Sequence, residues 1–247
     1  GRVFMKIGVI SDIHSNILAL EAVFNKFEEK NINNIICLGD IIGIGPYPEK
    51  CIDLLMKNKE KIIGIVKGNH ENYLIKGLPK TNHNIENGTK LSDEEKSTHV
   101  WNHSKLNTVQ IEFIKELKSK EIININNKNI LICHYPLLEN GKFKKFYKNM
   151  NEQRVDELFN NQNIDIFLFG HTHKEYYFKN DKKIVINPGS LGCPKNTNAA
   201  LAGILDISNN DIIYEELRVT YNIDEAVERI KKLNYPLSRF MIKTFYR

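Results

Sequence analysis

The sequence predicts a mixed α/β sandwich in which parallel strands come first and antiparallel hairpins follow. Three observations carry that expectation. The first third of the chain alternates short apolar runs, loops and amphipathic helices, and such successive β-loop-α units build parallel strands with helices packed on the sheet. The last third pairs apolar runs across short polar turns, as hairpins do. At 247 residues, 41% hydrophobic and 26% charged, the chain is long enough for one large domain with a full core and short for two.

Lys6–Ile10 reads as the first strand, and after polar Ser11–Asn16 the apolar residues Ile17, Leu20, Val23, Phe24 and Phe27 recur with helical spacing up to Lys30. Asn34–Leu38 is a second strand, Gly39–Pro48 a Gly/Pro-rich loop, and Pro48–Lys57 a helix with Cys51, Ile52, Leu54 and Leu55 on one face. Ile62–Val66 is a third strand, closed by Gly68-Asn69-His70-Glu71, with Glu71 expected to begin a helix. From about Leu74 to Glu121 the signal changes: Gly77–Thr89 is loop-like, while Asp93–Trp101 and Val109–Leu117 are amphipathic helices, so a helical cap inserted into a single domain of residues 1–247 is expected. Asn129–Cys133 and Ile164–Phe169 are further strands, with Val155–Phe159 helical between them. Tyr176–Lys179 with Lys183–Ile186, and Ala202–Ile207 with Ile212–Val219, form hairpins, and Ile223–Leu233 is a closing amphipathic helix. The apolar-aromatic terminus, Tyr235–Leu237 and Phe240–Tyr246, is expected to pack on the core or against a second copy in a homodimer.

Apolar runs such as Ile164–Phe169 fall far below the roughly 18 residues a spanning helix needs, so no membrane segment is expected. The N-terminus lacks a secretory pattern, and Met5 is the expected natural start, with Gly1–Phe4 added ahead of it. Cys37, Cys51, Cys133 and Cys193 are far apart with no CxxC pair, which argues against a disulfide framework or a cysteine-based zinc site and favours reduced thiols in a cytoplasm. The 35 Lys and Arg against 30 Asp and Glu give +5, spread along the chain as a solvated surface; no basic cluster interleaved with aromatics marks a nucleic-acid binder.

Five histidines (His14, His70, His134, His171 and His173) stand at or just beyond predicted strand ends, joined by Asp12, Asp40 and Asn69. In an open α/β sheet the carboxyl ends of parallel strands open onto one crevice, so groups distant in sequence converge there. Taken singly, each block has a mundane use: Asp12 can enter a helix, Asp40 can cap a loop, and a lone His134 can be a satisfied core histidine. Together and in order they point to metal. Imidazole, carboxylate and carboxamide suit manganese, iron, zinc, cobalt or nickel, whereas calcium and magnesium prefer oxygen shells. Seven of these eight as ligands would already exceed one ion's needs and suffice for two sharing a carboxylate, with Asp40 the natural bridge; such pairs clamp a phosphoryl group and activate water.

These residues resemble the calcineurin-like metallophosphoesterases through Asp12-Ile13-His14, Gly39-Asp40, Gly68-Asn69-His70-Glu71, His134 and Gly170-His171-Thr172-His173. Ser11–Asn16, the run Gly39–Pro48 and Asn187-Pro188-Gly189-Ser190 extend the resemblance to a bacterial phosphodiesterase-like subset, leaving the cap least matched. The resemblance implies a four-layer αββα sandwich of two mixed sheets flanked by helices. It implies one metal on Asp12, His14, Asp40 and His173 and a second on Asp40, Asn69, His134 and His171, with a metal-bridging water or hydroxide as nucleophile. Two divalent ions are expected, manganese first, with iron or zinc as alternatives. His70 matches the non-ligand histidine that meets the substrate phosphate and protonates the leaving oxygen; Asn16 and Asn69 join it as substrate-binding candidates.

The chain departs from the protein-phosphatase form of the motif, Gly-Asp-x-x-Asp-Arg-Gly, because Asp40 is followed by Ile41-Ile42-Gly43-Ile44-Gly45. The Asp that pairs with the histidine and the Arg that grips a monoester are missing. A small phosphodiester or nucleotide polyphosphate is therefore the expected substrate, a phosphodiesterase the leading function, and an asymmetric diadenosine tetraphosphate hydrolase like the streptococcal enzymes the close alternative. A catalytically inactive scaffold of the same fold is disfavoured, since all seven ligand positions and His70 are kept. Asn16 is read equally as a group near the metals or a helix cap. Asn187–Ser190 is expected as a strand-end turn, Cys193 has no assigned role, and His83, His99, His103 and Trp101 of the cap are expected to serve packing or surface.

Overall fold

The computed structural model describes residues 5–79, 91–147, 149–195, 197–208 and 211–246. The expected added segment Gly1–Phe4, His83 and most of the loop expected over Gly77–Thr89 lie outside them. Among the described residues ten strands form two five-stranded mixed sheets. The first sheet is built from β1 (Met5–Ile10), β2 (Asn34–Cys37), β3 (Ile62–Ile65), β9 (Ala199–Ile207) and β10 (Ile212–Thr220), in the order β10-β9-β1-β2-β3. The second is built from β4 (Lys120–Ile125), β5 (Lys128–Cys133), β6 (Ile166–Leu168), β7 (Glu175–Lys179) and β8 (Ile184–Pro188), in the order β4-β5-β6-β8-β7. Strands β1, β2 and β3 run parallel, as do β5, β6 and β8, whereas β9-β10, β7-β8 and β4-β5 pair antiparallel. Both expected hairpins are present.

Period-two alternation explains why the sheets stack. Ile7 and Val9 of β1, Ile130 and Ile132 of β5, Ile166 and Leu168 of β6, and Ile184 and Ile186 of β8 meet in one buried layer between the sheets. Their neighbours along each strand point outward. Ile10 joins the face covered by α1 (Ile17–Glu29) and α2 (Pro48–Lys57), while Cys133, Phe167 and Val185 face α6 (Glu152–Leu158). Helices thus cover both outer faces, giving the expected αββα layering. Each buried Ile, Leu or Val contributes about 1.5–3 kcal/mol, so the inner strands β1, β5, β6 and β8 are held from both sides.

Of the described residues in the stretch expected to be a helical cap, about 74–121, most lie in α4 (Asp93–Ser104) and α5 (Thr108–Glu116), and α3 (Asn69–Lys76) ends just inside its start. α3 starts at Asn69, two residues before the expected Glu71. Strand β4 was not foreseen, and its first residues, Lys120 and Glu121, fall at the end of that stretch. It is an edge strand in which Ile122 is exposed and only Ile125 is buried, so its hydrophobic signal is weak. The aromatic terminus forms α8 (Ser238–Phe245), whose Met241, Ile242 and Phe245 pack with Tyr235, Tyr246, Cys193 and α7 (Ile223–Lys232). Its apolar face is therefore covered by this chain's own residues. Among the described residues no helix is long and apolar enough to cross a membrane, and all four cysteines are buried and unpaired.

Candidate active site

The carboxyl ends of the parallel strands converge as expected. Asp12 and His14 follow β1, Asp40 follows β2, Asn69 and His70 open α3 after β3, His134 follows β5, and His171 and His173 follow β6. Asp12, His14, Asp40, Asn69, His70, His134 and His171 are buried, and His173 is partly exposed. Five of these residues adopt left-handed backbone conformations: Asp12 (φ 53°), His14 (47°), Asp40 (49°), His171 (68°) and His173 (59°). Non-glycine residues rarely do so, at a cost on the order of 1–3 kcal/mol each, and such strain gathers at functional sites.

Cross-bonds between the loops hold that strain. Asp12 N–H donates to Gly39 O at 3.0 Å and His14 N–H to Asp40 O at 2.9 Å, tying the first two loops together. Gly170 N–H donates to His134 O at 2.9 Å, and His171 N–H reaches the Asp12 carboxylate at 3.1 Å. A Cβ on Gly170 would lie 1.9 Å from Ser11 Oγ, so this approach requires glycine. Asn187 donates through Nδ2 to Gly170 O at 2.8 Å and Thr172 Oγ1 at 3.1 Å, and Ser190 Oγ donates to Asp12 O at 2.9 Å. The Asn187–Ser190 segment is thus more than a strand-end turn, because it braces both the Asp12 and the His171 loops.

The side chains form two groups, and Asp40 lies within 4 Å of a histidine from each. In one, His173 Nε2 lies 2.9 Å from His14 Nε2 and 3.4 Å from Asp12 Oδ1, while His14 Nε2 is 3.9 Å from Asp40 Oδ2. In the other, His134 Nε2 lies 3.1 Å from both Asp40 Oδ2 and His171 Nδ1. The sets Asp12-His14-His173 and Asp40-His134-His171 each bring their ligand atoms close enough together to hold one ion. His14, Asp40 and His70 make a third such set, which overlaps the others. Asn69, expected beside the second group, is buried with neither carboxamide atom in a hydrogen bond. Two imidazole nitrogens 2.9 Å apart direct lone pairs at one another unless a proton or a cation lies between them. This donor set therefore fits divalent cations.

Electrostatics agree. Burial opposes ionisation of Asp12 and Asp40, yet His173, His134 and His14 hold Asp12, and His134, His70 and His14 hold Asp40, below the usual carboxylate range. Burial lowers His134, but Asp40 and Asp12 outweigh it and lift its pKa to about 9. Burial together with the nearby His134 pulls His171 down to about 3. The ring of His134 is oriented from behind, because its Nδ1 donates to Leu38 O at 2.8 Å and so turns Nε2 toward Asp40.

Sequence reasoning missed three residues here and misplaced one. Glu71 is wholly buried and accepts from the backbone N–H groups of Asp40 (2.9 Å), Ile41 (2.8 Å), Ile42 (3.0 Å) and Gly68 (2.7 Å), clamping the Asp40 loop to α3. Its place as an acid at the third position of a helix was the available signal. Asn102 of α4 accepts from Ser15 Oγ and Gly43 N–H, both at 2.8 Å, and donates to Gly45 O at 2.9 Å. Replacing Asn102 with Leu strands these buried partners, so the protein is expected to lose about 3 kcal/mol of stability in urea denaturation, with kcat falling as the Asp40 loop loosens. His99 of α4 also lies within the site. Asn16, by contrast, is not a substrate group: its Oδ1 caps α1 by accepting from Ala19 N–H at 3.2 Å. Its Nδ2 is engaged with Gly192 O, Tyr221 Oη and Tyr246 Oη at 3.0–3.1 Å.

The ligand groups open onto a cleft of about 1120 Å³, lined by His70, His171 and His173 on one side and by Ile44, Leu237, Phe240 and Phe245 on another. Beyond the resemblance of motifs, a model of the calcineurin-like phosphoesterase superfamily domain matches residues 5–210. The chain belongs to that superfamily. The chain is accordingly a phosphoesterase, and its candidate ligand groups agree with a hydrolase that depends on divalent metal ions. The uncharacterized protein MJ0912 of Methanocaldococcus jannaschii is 31% identical over 246 residues, with 93% of each chain covered. The phosphodiesterase MJ0936 of the same organism is 23% identical, covering 86% of this chain and 98% of its own. The crystal structure of PH1004 from Pyrococcus horikoshii shares the fold with a TM-score of 0.81 at 18% identity, over 98% of both chains.

Proposed function

We propose that this phosphoesterase is a two-metal phosphodiesterase. Asp12, His14, Asp40 and His173 hold one divalent ion and Asp40, Asn69, His134 and His171 the second, with manganese the expected ion and iron or zinc the alternatives. The carrying observation is that one buried carboxylate, Asp40, meets histidines of both donor sets, its Oδ2 lying 3.1 Å from His134 Nε2 and 3.9 Å from His14 Nε2, while His171 and His173 of those sets line the cleft. When bound, the ions supply positive charge to the phosphate and acidify a water molecule toward neutral pH. His70 stands beside them on the cleft, its backbone N–H fixed on Asp40 Oδ1 at 2.9 Å, where its imidazole can hand a proton to the departing oxygen.

Preference for diesters rests on what faces His70. A Cβ on Gly43 would lie 2.0 Å from His70 Nδ1, so the motif position that carries a carboxylate in protein phosphatases is empty of side chain here. Among the described lining residues there is no arginine to grip a doubly charged monoester, and the cleft is at the large end of ligand sites, which accommodates two ester arms. Lys174 and Lys195 on the same cleft favour the second reading, asymmetric cleavage of diadenosine tetraphosphate to ATP and AMP, because they can meet additional phosphates.

The test compares bis(p-nitrophenyl) phosphate, p-nitrophenyl phosphate and diadenosine tetraphosphate on metal-stripped protein restored with Mn²⁺. The diester is expected to be cleaved faster than the monoester, and the reverse order contradicts the proposal. Release of ATP and AMP from the tetraphosphate faster than diester cleavage favours the second reading. His70→Ala is expected to lower kcat by roughly 10²–10³-fold with metal content unchanged, the scale of losing a positioned proton donor.

A further inference from the structure

His99 is an imidazole in this cleft that neither the ligand sets nor His70 put to use. It lies on α4, 5% exposed, with its ring centroid 5.1 Å from that of His70 and 5.2 Å from that of Tyr73, to which it stands edge-on. It lines the cleft beside His70, and among the described residues its ring nitrogens make no hydrogen bond to protein. A cleft-lining imidazole with no hydrogen bond to protein is free to take its partner from whatever occupies the cleft, and a bound ligand supplies one. Burial, with the nearby His70 and His103, draws its pKa to about 3, so the ring carries one N–H donor and one acceptor at neutral pH.

We infer that His99 contacts the substrate, donating its N–H to an oxygen of the phosphate ester bound beside His70. The inference rests on the phosphodiesterase reading above and deepens it. With Gly43 leaving the motif loop bare near His70, α4 supplies a second polar ring 5.1 Å from that of His70, and Asn102 on the same helix fixes that helix to the Gly43 loop. A phosphodiester has a single negative charge, which a neutral donor can meet without an arginine.

The experiment separates the ring from its N–H. His99→Phe keeps an aromatic ring against His70 and Tyr73 and loses the donor, whereas His99→Asn and His99→Gln place an amide N–H near the Nδ1 and Nε2 positions. On Mn²⁺-loaded protein, His99→Phe is expected to lower kcat/KM for bis(p-nitrophenyl) phosphate roughly 10- to 100-fold and to weaken inorganic phosphate binding in calorimetry similarly, the size of one hydrogen bond to a charged group. One of the two amide variants is expected to recover to within roughly five-fold of the parent, since an amide donor restores that bond. Metal content and thermal midpoint should be unchanged throughout. Wild-type phosphate affinity and turnover in His99→Phe overturn the inference, as does equal impairment of all three variants, which would make the ring's packing the cause. If the parent protein binds phosphate but cleaves no diester, the phosphodiesterase reading fails, and the phosphate affinities alone still decide for or against His99. Absence of phosphate binding by the parent overturns both.

Discussion

Asp40→Asn is expected to abolish the activity in practice, lowering kcat/KM by roughly 10³-fold or more, on the scale of losing a preorganised charge in a two-metal site. Asp40 is the proposed bridge between the two ligand groups: its Oδ2 lies 3.1 Å from His134 Nε2 and 3.9 Å from His14 Nε2. A neutral carboxamide removes a negative charge that both ions need, so metal content should fall below two per chain. The fold should survive, because the oxygen of the new carboxamide can still accept from His70 N–H, and Glu71 still binds the backbone of the same loop. Elemental analysis of the dialysed variant beside its circular dichroism spectrum distinguishes loss of metal from loss of structure. Retention of two ions and normal turnover would remove Asp40 from the bridging position.

Stripping the metal is expected to stop turnover and to lower the thermal midpoint by roughly 10 °C relative to protein at about 1,000 times its metal dissociation constant. That ligand excess stabilises by about 4 kcal/mol, and a chain of this size shifts by about 2–4 °C per kcal/mol. The effect should depend on pH with a definite sign. In the metal-free protein His134 has a raised pKa, so the stability from its pairing with Asp40 is fully present below about 6.5 and lost as the pH rises through about 9. A divalent ion must displace the same proton, so metal affinity rises over that window, and binding at pH 8 should release about one proton per chain. The stabilisation by metal should therefore grow between about pH 6.5 and about pH 9. Calorimetry in buffers of differing ionisation enthalpy counts the proton; binding that is strongest at acid pH would contradict the assignment of His134 as a ligand.

How much of this was legible in the sequence follows from where each residue gets its partners. Asp12, His14, Asp40, Asn69, His134, His171 and His173 could be gathered from sequence because each stands just past a strand, and parallel strands deliver their ends to one crevice. The mixed α/β sandwich was legible from the early β-loop-α units and the later hairpins, whereas its four-layer αββα form came from the resemblance to the calcineurin-like metallophosphoesterases; β5, β6 and β8 are apolar on both faces, so their pattern alone does not tell which face meets the other sheet and which a helix. Strand β4 escaped because an exposed edge strand need not be apolar on either face. Asn102 and His99 escaped for a different reason: their function comes from the docking of α4 on the Ser15 and Gly43 loops, a long-range contact that no local pattern on α4 encodes. Asn16 was open between two uses, and the proximity of Tyr221 and Tyr246, more than 200 residues away, consumes its amide in the interior.

The most direct measurement is a titration of metal-stripped protein with Mn²⁺ while the initial rate of bis(p-nitrophenyl) phosphate cleavage is followed. The paired groups sharing Asp40 predict that activity climbs to a plateau at two equivalents of Mn²⁺ per chain and that Asp40→Asn shows no such plateau. Full activity at one equivalent, or turnover that chelation leaves intact, would contradict a two-metal site.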